Sequence, residues 1–246
     1  MLIDLHTHTR LGSPDSVLHP DELIERSKAA GLDAIVLSEH DQTWAREDIL
    51  ALGKRHNFVV IPGLEVTTDH GHILVYGLST YEDSMRDAEA LAGHVERANG
   101  AMVAAHPYRN HAPLNWHDAD DYQRALDRAL ENPAYQRAHA IEVLHGHARP
   151  HENRFSELLA AGLGRPGTAG TDSHFVADIG KAATYFERDI RDEHDLVREI
   201  LAGRCWAVDL TAGRLTEDPA RHTIPGSISG TVPSNLASTP SAQSGR

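Results

Sequence analysis

The chain has 246 residues, 40% of them hydrophobic, with Asp+Glu 36 against Lys+Arg 23 for a formal charge of -13, one cysteine and 18 histidines. That length accommodates one large domain with a single core, and α/β barrels often reach it undivided, while the acid excess disfavours nucleic-acid backbones and anionic membranes as extended partners. Cys205 alone excludes an intrachain disulfide framework, Met1-Leu2-Ile3-Asp4 lacks the regions of a signal peptide, and no apolar run approaches the roughly 20 residues of a membrane span, so a cytoplasmic protein without a membrane partner is expected.

The first strand, Leu2 to Thr9, carries His6 and His8 at i and i+2, which places both imidazoles on one face. Neutral imidazole is the commonest protein ligand for divalent transition metals, so the pair is a candidate metal site. A turn-rich loop with Asp15 follows, then a helix over 20–31 with Pro at its first turn and Gly31 at its end. Leu32 to Leu37 has the continuous apolar look of a strand buried on both faces and runs into Ser38-Glu39-His40-Asp41. A polar cluster after an apolar strand falls where parallel α/β folds build their sites.

The pattern repeats. A helix is expected over 43–56, a strand over 58–61 leading into Pro62-Gly63-Leu64-Glu65-Val66, and another over 72–77 that begins with His72. After an amphipathic helix over 82–98, the strand 101–105 ends in His106-Pro107-Tyr108-Arg109. Further on come a helix over 118–131, a strand over 140–144 ending near His145 and His147, and a helix over 151–161. Thr168 to Thr171 leads into Asp172-Ser173-His174, and strands over 182–186 and 205–210 flank a last helix over 192–202. Six or more βα-like units predict a parallel barrel or open sheet, and polar clusters at successive strand ends favour the barrel. The domain is expected to run over 1–222. Residues 223–246, rich in Ser, Gly and Pro, cannot offset ordering entropy by burial and are expected to be disordered.

His6, His8, Asp15, His40, Glu65, His72, His106, Asp172 and His174 thus gather at strand ends and the first loop. Nine donors exceed what one ion uses and imply two or three ions sharing a carboxylate. Imidazole and carboxylate without thiolate suit Zn, Mn or Fe. Beyond these, Asp41 could orient an imidazole or simply cap the next helix, and Arg109 could bind phosphate in a bidentate fashion or lie idle at the surface. Glu142, His145 and His147 could face the pocket, with His145 a candidate for substrate contact. Trp44 and Trp116 could stack on a ring or simply fill space.

Together, Asp4-Leu5-His6-Thr7-His8-Thr9, Ser38-Glu39-His40-Asp41, Pro62 to Val66, Ala105-His106-Pro107 and Gly170 to His174 resemble the PHP (polymerase and histidinol phosphatase) family over about residues 1–210. The second segment departs from the family's usual Thr-Asp-His-Asp but keeps the histidine and the last aspartate. The resemblance implies a distorted (β/α)7 TIM-like barrel with three divalent ions at the C-terminal ends of the strands. The first ion would take His6, His8, Glu65 and Asp172, the second Glu65, His72 and His106, and the third Asp15, His40 and His174. It further implies hydrolysis of a small phosphate monoester or nucleotide by metal-bound hydroxide, in a pocket made positive by its ions. Histidinol-phosphate phosphatase, a polymerase-associated nuclease, a metal-stabilised binding module and a C–N hydrolase are the alternatives. The last would be expected to use a carboxylated lysine, and no lysine stands at a suitable strand end.

Overall fold

A computed structural model describes residues 1–211. The expected boundary at 222 and the expected disordered segment 223–246 lie outside them. Seven strands wrap into a nearly closed barrel: β1 (Leu2–Thr7), β2 (Ala34–His40), β3 (Val59–Thr68), β4 (Gly71–Tyr76), β5 (Ala101–Ala104), β6 (Ala140–His145) and β7 (Gly167–Gly170) are neighbours in that order. β8 (Ala182–Tyr185) and β9 (Trp206–Asp209) extend the sheet from β1.

Helices α1 (Pro20–Ala29), α2 (Arg46–His56), α3 (Ala88–Arg97), α5 (Ala119–Leu130) and α7 (Pro150–Leu163) fall on the predicted stretches, except that the expected helix over 82–98 begins only at Ala88, because Asp87 caps it after a 3-10 turn at Asp83–Arg86. Shorter α4 (Tyr108–His111) and α6 (Pro133–Arg137) lie between the predicted elements, and α8 (Glu193–Leu201) is the last. Local chemistry sets several ends: the His19 ring accepts from the Asp21 amide at the start of α1, and Asn132 accepts from two amides at the start of α6. None of the helices among the described residues is long and apolar enough to cross a membrane.

The barrel is less uniformly parallel than the βα alternation predicts. β4 runs antiparallel to both β3 and β5, because Thr68-Asp69-His70-Gly71 makes a hairpin where a crossover helix would be needed for a parallel neighbour. β8 is likewise antiparallel to β1. It wedges between β1 and β7 at one end, with the Thr184 hydroxyl bonded to both the amide and the carbonyl of Ala169. At the other end β1 and β7 meet directly, through Asp172 N–H to His6 O (2.8 Å) and His8 N–H to Ser173 O (3.2 Å).

Period-two alternation divides the interior into layers. Ala34, Val36, Ile61, Leu74, Tyr76, Ala101, Val103 and Ala140 share one cluster with Ile3 and Leu5, closed from below by Leu196 and Ile200 of α8. Intervening residues such as Ile35, Leu37 and Val60 meet α1 and α2 on the outside. Continuing the inward positions upward gives Ser38 and His40 on β2, Gly63 and Glu65 on β3, and Glu142 on β6, so each wall changes from apolar to ionisable within one strand. On β1 simple alternation would put His6 and His8 opposite Ile3 and Leu5. A bulge between Asp4 and Thr7 shifts the register and brings both imidazoles inward as well.

Candidate metal centre

The inward ends of β1, β3 and β7 deliver four buried groups to one point. His6 Nε2 lies 3.3 Å from both Glu65 Oε2 and Asp172 Oδ1, and His8 Nε2 lies 3.2 and 3.1 Å from the same two oxygens. Among the described residues these four buried atoms have no hydrogen-bond partner. An unpaired buried polar group costs about 1–3 kcal/mol, so their convergence without compensation fits a cation at their centre. The donor set, two imidazole nitrogens and two carboxylate oxygens without sulfur, is what Zn, Mn or Fe accept.

Glu65 faces two ways. Its Oε2 belongs to this inner cup and also lies 3.0 Å from His40 Nδ1, whereas Oε1 meets His72 Nδ1 at 2.8 Å and His106 Nε2 at 3.0 Å. At the outer edge, Asp15 Oδ2 lies 3.3 Å from His40 Nε2 and 3.1 Å from His174 Nε2. The nine side chains expected from the sequence therefore form one continuous cluster, with Glu65 central and Asp15 outermost.

The electrostatics call for positive charge. Burial works against ionising Asp172 and Glu65, yet the imidazoles around them, His6 foremost, hold both well below the usual carboxylate range. Burial also works against protonated His8, but Asp172 and Glu65 raise it to about 9. His106 goes the other way: burial takes it down to about 4 in spite of Glu65 beside it. It enters the cup neutral, the form in which imidazole binds metal.

Each first-strand imidazole is oriented from behind by a carboxylate. Glu142 Oε1 lies 3.0 Å from His6 Nδ1, and its Oε2 accepts the His106 amide at 2.8 Å. Such a partner on the far ring nitrogen fixes the tautomer and aims the other nitrogen at a metal. For His8 the link has an extra member: Nδ1 meets Ser13 Oγ at 3.0 Å, and Ser13 donates to Glu39 at 2.6 Å. Glu39, fully buried, also accepts from the Thr9 amide, the Thr9 hydroxyl and the Trp44 indole, so it secures the loop that carries Asp15. His174 Nδ1 donates to the Asp172 carbonyl at 2.9 Å, leaving Nε2 to face Asp15.

Glu39 and Asp4 escaped the sequence reading. Asp4 accepts from the Thr171 hydroxyl (2.5 Å), the Thr171 amide (2.9 Å) and the His6 amide (3.2 Å), joining β1 to β7 below the cup. The one available signal was an acid inside a strand that begins apolar and ends in histidine: Asp4 two residues before His6, and Glu39 one before His40. Gly170 is required here, since a Cβ would sit 2.4 Å from that of His6.

Arg109, Asp41 and His145 have distinct surroundings. Arg109 Nη2 reaches Asp172 Oδ2 at 2.8 Å and lies 3.3 Å from His145 Nε2. His145 is buried, with Nε2 3.2 Å from the same Asp172 oxygen and Nδ1 accepting from the His147 amide. Asp41 does not cap α2, whose N-cap is Ala45; its carboxylate accepts the Thr67 amide at 2.8 Å. Trp44 bonds to Glu39, and Trp116 packs 4.5 Å from the His151 ring. Asp41, His106 and Asp172 all have positive φ (51°, 28° and 51°), backbone strain concentrated at the cup.

The PHP domain family matches residues 4–160, and a PHP-associated segment matches residues 150–205. The chain is 30% identical over 127 residues to a 5'-3' exoribonuclease Rnm of Salmonella typhimurium, covering 48% of this chain and 42% of that one. A DNA polymerase III PolC-type of Oceanobacillus iheyensis is 31% identical over 86 residues, 33% of this chain and 6% of the polymerase. The chain thus spans under half the length of either relative. Among solved structures, an amidohydrolase from Chromobacterium violaceum superposes with TM-score 0.57 at 19% identity, covering 82% of this chain and 96% of that one. A two-domain protein from Bacteroides vulgatus containing a predicted PHP-like metal-dependent phosphoesterase gives TM-score 0.57 at 18% identity, covering 84% of this chain and 64% of that one. With the family matched over most of the barrel, and the fold shared with these structures, the chain belongs to the PHP domain family.

Proposed function

We propose that this PHP-domain hydrolase cleaves phosphate esters, either small monoesters or nucleotides, with three divalent ions. The innermost would be held by His6, His8, Glu65 and Asp172, the second by Glu65, His72 and His106, and the third by Asp15, His40 and His174. The observation that carries the reading is the set of four buried, unpartnered atoms on His6, His8, Glu65 and Asp172. When bound, divalent ions supply Lewis acidity to the phosphoryl oxygens and make water acidic enough to serve as nucleophile near neutral pH.

The chain's own groups provide orientation. Glu142 and the Ser13–Glu39 pair hold the first-strand imidazoles in the tautomer that presents Nε2. Arg109, already bonded to Asp172 through one nitrogen, has further N–H groups for a phosphoryl oxygen and keeps its charge at any working pH. His145, beside both, is proposed to contact substrate, and Asp41 to hold the end of β3 in place through Thr67.

The names of the relatives support nucleotides as substrates, whereas the charge of -13 speaks against a long polyanionic strand. A C–N hydrolase with a carboxylated lysine finds no support. Lys28 bonds to the His56 carbonyl, Lys181 pairs with Asp178, and Lys54 lies with Asp33 and Phe58, away from the cup. The test is metal depletion followed by reconstitution with Mn, Zn or Fe separately, assayed with 4-nitrophenyl phosphate. Release should disappear on depletion and return with at least one metal, bound at up to three per chain. Release that survives complete depletion would overturn the reading.

A further inference from the structure

Next to the metal cup lies a second concavity, of whose lining the chemistry above uses only His72. It is a cleft of about 450 Å³ between the β3–β4 turn, α4 and Asn132, and His72 forms part of its wall. His72 also meets Glu65, so cup and cleft share a side chain. The size falls within the roughly 300–1,000 Å³ usual for small-molecule sites.

The lining offers hydrogen bonds and little charge. Thr68, His70, Asn110, His111 and Asn132 are all polar, and among the described residues no lysine or arginine lines the cleft. Asp69, the one acid among the described lining residues, is exposed and pairs with Arg86. Burial, helped by the field of Arg128, keeps His111 below its ordinary range and therefore uncharged. The frame is fixed by Asn132, whose oxygen caps α6 while its nitrogen meets the His70 carbonyl (2.8 Å) and His111 Nε2 (3.0 Å). Gly71, at φ 121°, leaves room for Asn110, whose Nδ2 would be 2.5 Å from any Cβ there.

Position links the cleft to the reacting centre. Asn110 and His111 stand on α4 with Arg109, the residue that reaches Asp172. We infer that the cleft receives the leaving group of the ester, and that it selects an uncharged, hydrogen-bonding group of sugar or nucleoside size over one bearing a second phosphate. This rests on the phosphoesterase reading. A second phosphate would find no lysine or arginine among the described lining residues and would lie near Asp69, whereas hydroxyls or ring nitrogens would meet amide and imidazole partners.

The experiment measures kcat/KM of the metal-loaded protein on four esters: glucose 6-phosphate, adenosine 5'-monophosphate, fructose 1,6-bisphosphate and 4-nitrophenyl phosphate. Wild type should favour one of the first two over the bisphosphate, and which one it favours distinguishes sugar from nucleoside. In Asn110→Ala the rate on the favoured ester, relative to 4-nitrophenyl phosphate, should fall about tenfold, the worth of a hydrogen bond. Asn110→Lys should move the preference toward the bisphosphate. Equal changes on all four esters, or none, at unchanged metal content would overturn the inference while leaving the phosphoesterase reading intact. No metal-dependent release from any ester would remove that reading and the inference with it.

Discussion

The inner and outer parts of the cluster solve the same problem differently. His6, His8 and Glu65 have fully buried side chains and that of Asp172 is only 5% exposed, whereas Asp15 is 56% exposed and His40 and His174 are 24% and 16% exposed. The inner groups stand on β1, β3 and the end of β7, locked by Glu142, by Asp4 and by the junction of β1 with β7. Asp15 stands on a loop held only through its neighbours. Buried donors cannot turn to water when a cation leaves, and exposed ones can. The inner position should therefore bind tightly and stabilise the fold, while the outer one should exchange readily.

That contrast can be broken most sharply at Asp172. Asp172→Asn removes an inner donor and the acid that Arg109 grips, so kcat should fall by about two to three orders of magnitude, as when another preorganised electrostatic group is lost. Turnover within a factor of a few of wild type, with metal content retained, would show that the inner cup is not the reacting centre. Glu142→Gln acts one step behind, on His6, and should weaken the tightest metal by about 10–100-fold without removing a ligand. Titration with a competing chelator measures it; an unchanged affinity would mean that Glu142 serves the barrel alone.

Smaller effects belong to the outer edge and to stability. Asp15→Asn should lower the bound stoichiometry by one under dialysis while leaving the tightest ion in place. Loss of all metal in that variant would erase the distinction between the two regions. Saturating metal at about a hundredfold over its Kd should add about 2.7 kcal/mol to wild-type stability, a rise of roughly 5–10 °C in Tm for a domain of this size. The same rise is expected in Asp15→Asn, and calorimetry with and without metal compares them. A rise that depends on Asp15 would assign the stabilising ion to the outer position.

Before any coordinates, the strand-end clusters and their order already identified nine side chains that do converge: most because a parallel strand delivers its last residues to one mouth of a barrel, His72 because the reversed β4 starts at that mouth, and Asp15 on a loop. The alternation of strands and helices likewise predicted the barrel. His6-Thr7-His8 was legible for a further reason, that residues two apart share a face. Roles that depend on what lies behind a ligand were not legible. Glu142 was expected to face the pocket, but that it backs His6 across 136 positions is not in any local pattern. Glu39 looked like a variant letter in a motif, yet it anchors the loop of Asp15 through Ser13 and Thr9.

What the amino-acid order determined by itself was the chemical type of the centre and the elements that carry it, since both follow from residue identity and short-range periodicity. Only the tertiary structure decided the bulge that turns His6 and His8 inward, the reversal of β4 and β8, the carboxylates that brace the imidazoles and the cleft beside His72. Each of these depends on contacts between segments far apart in the chain, and on the buried atoms those contacts leave without a partner, which no local window contains.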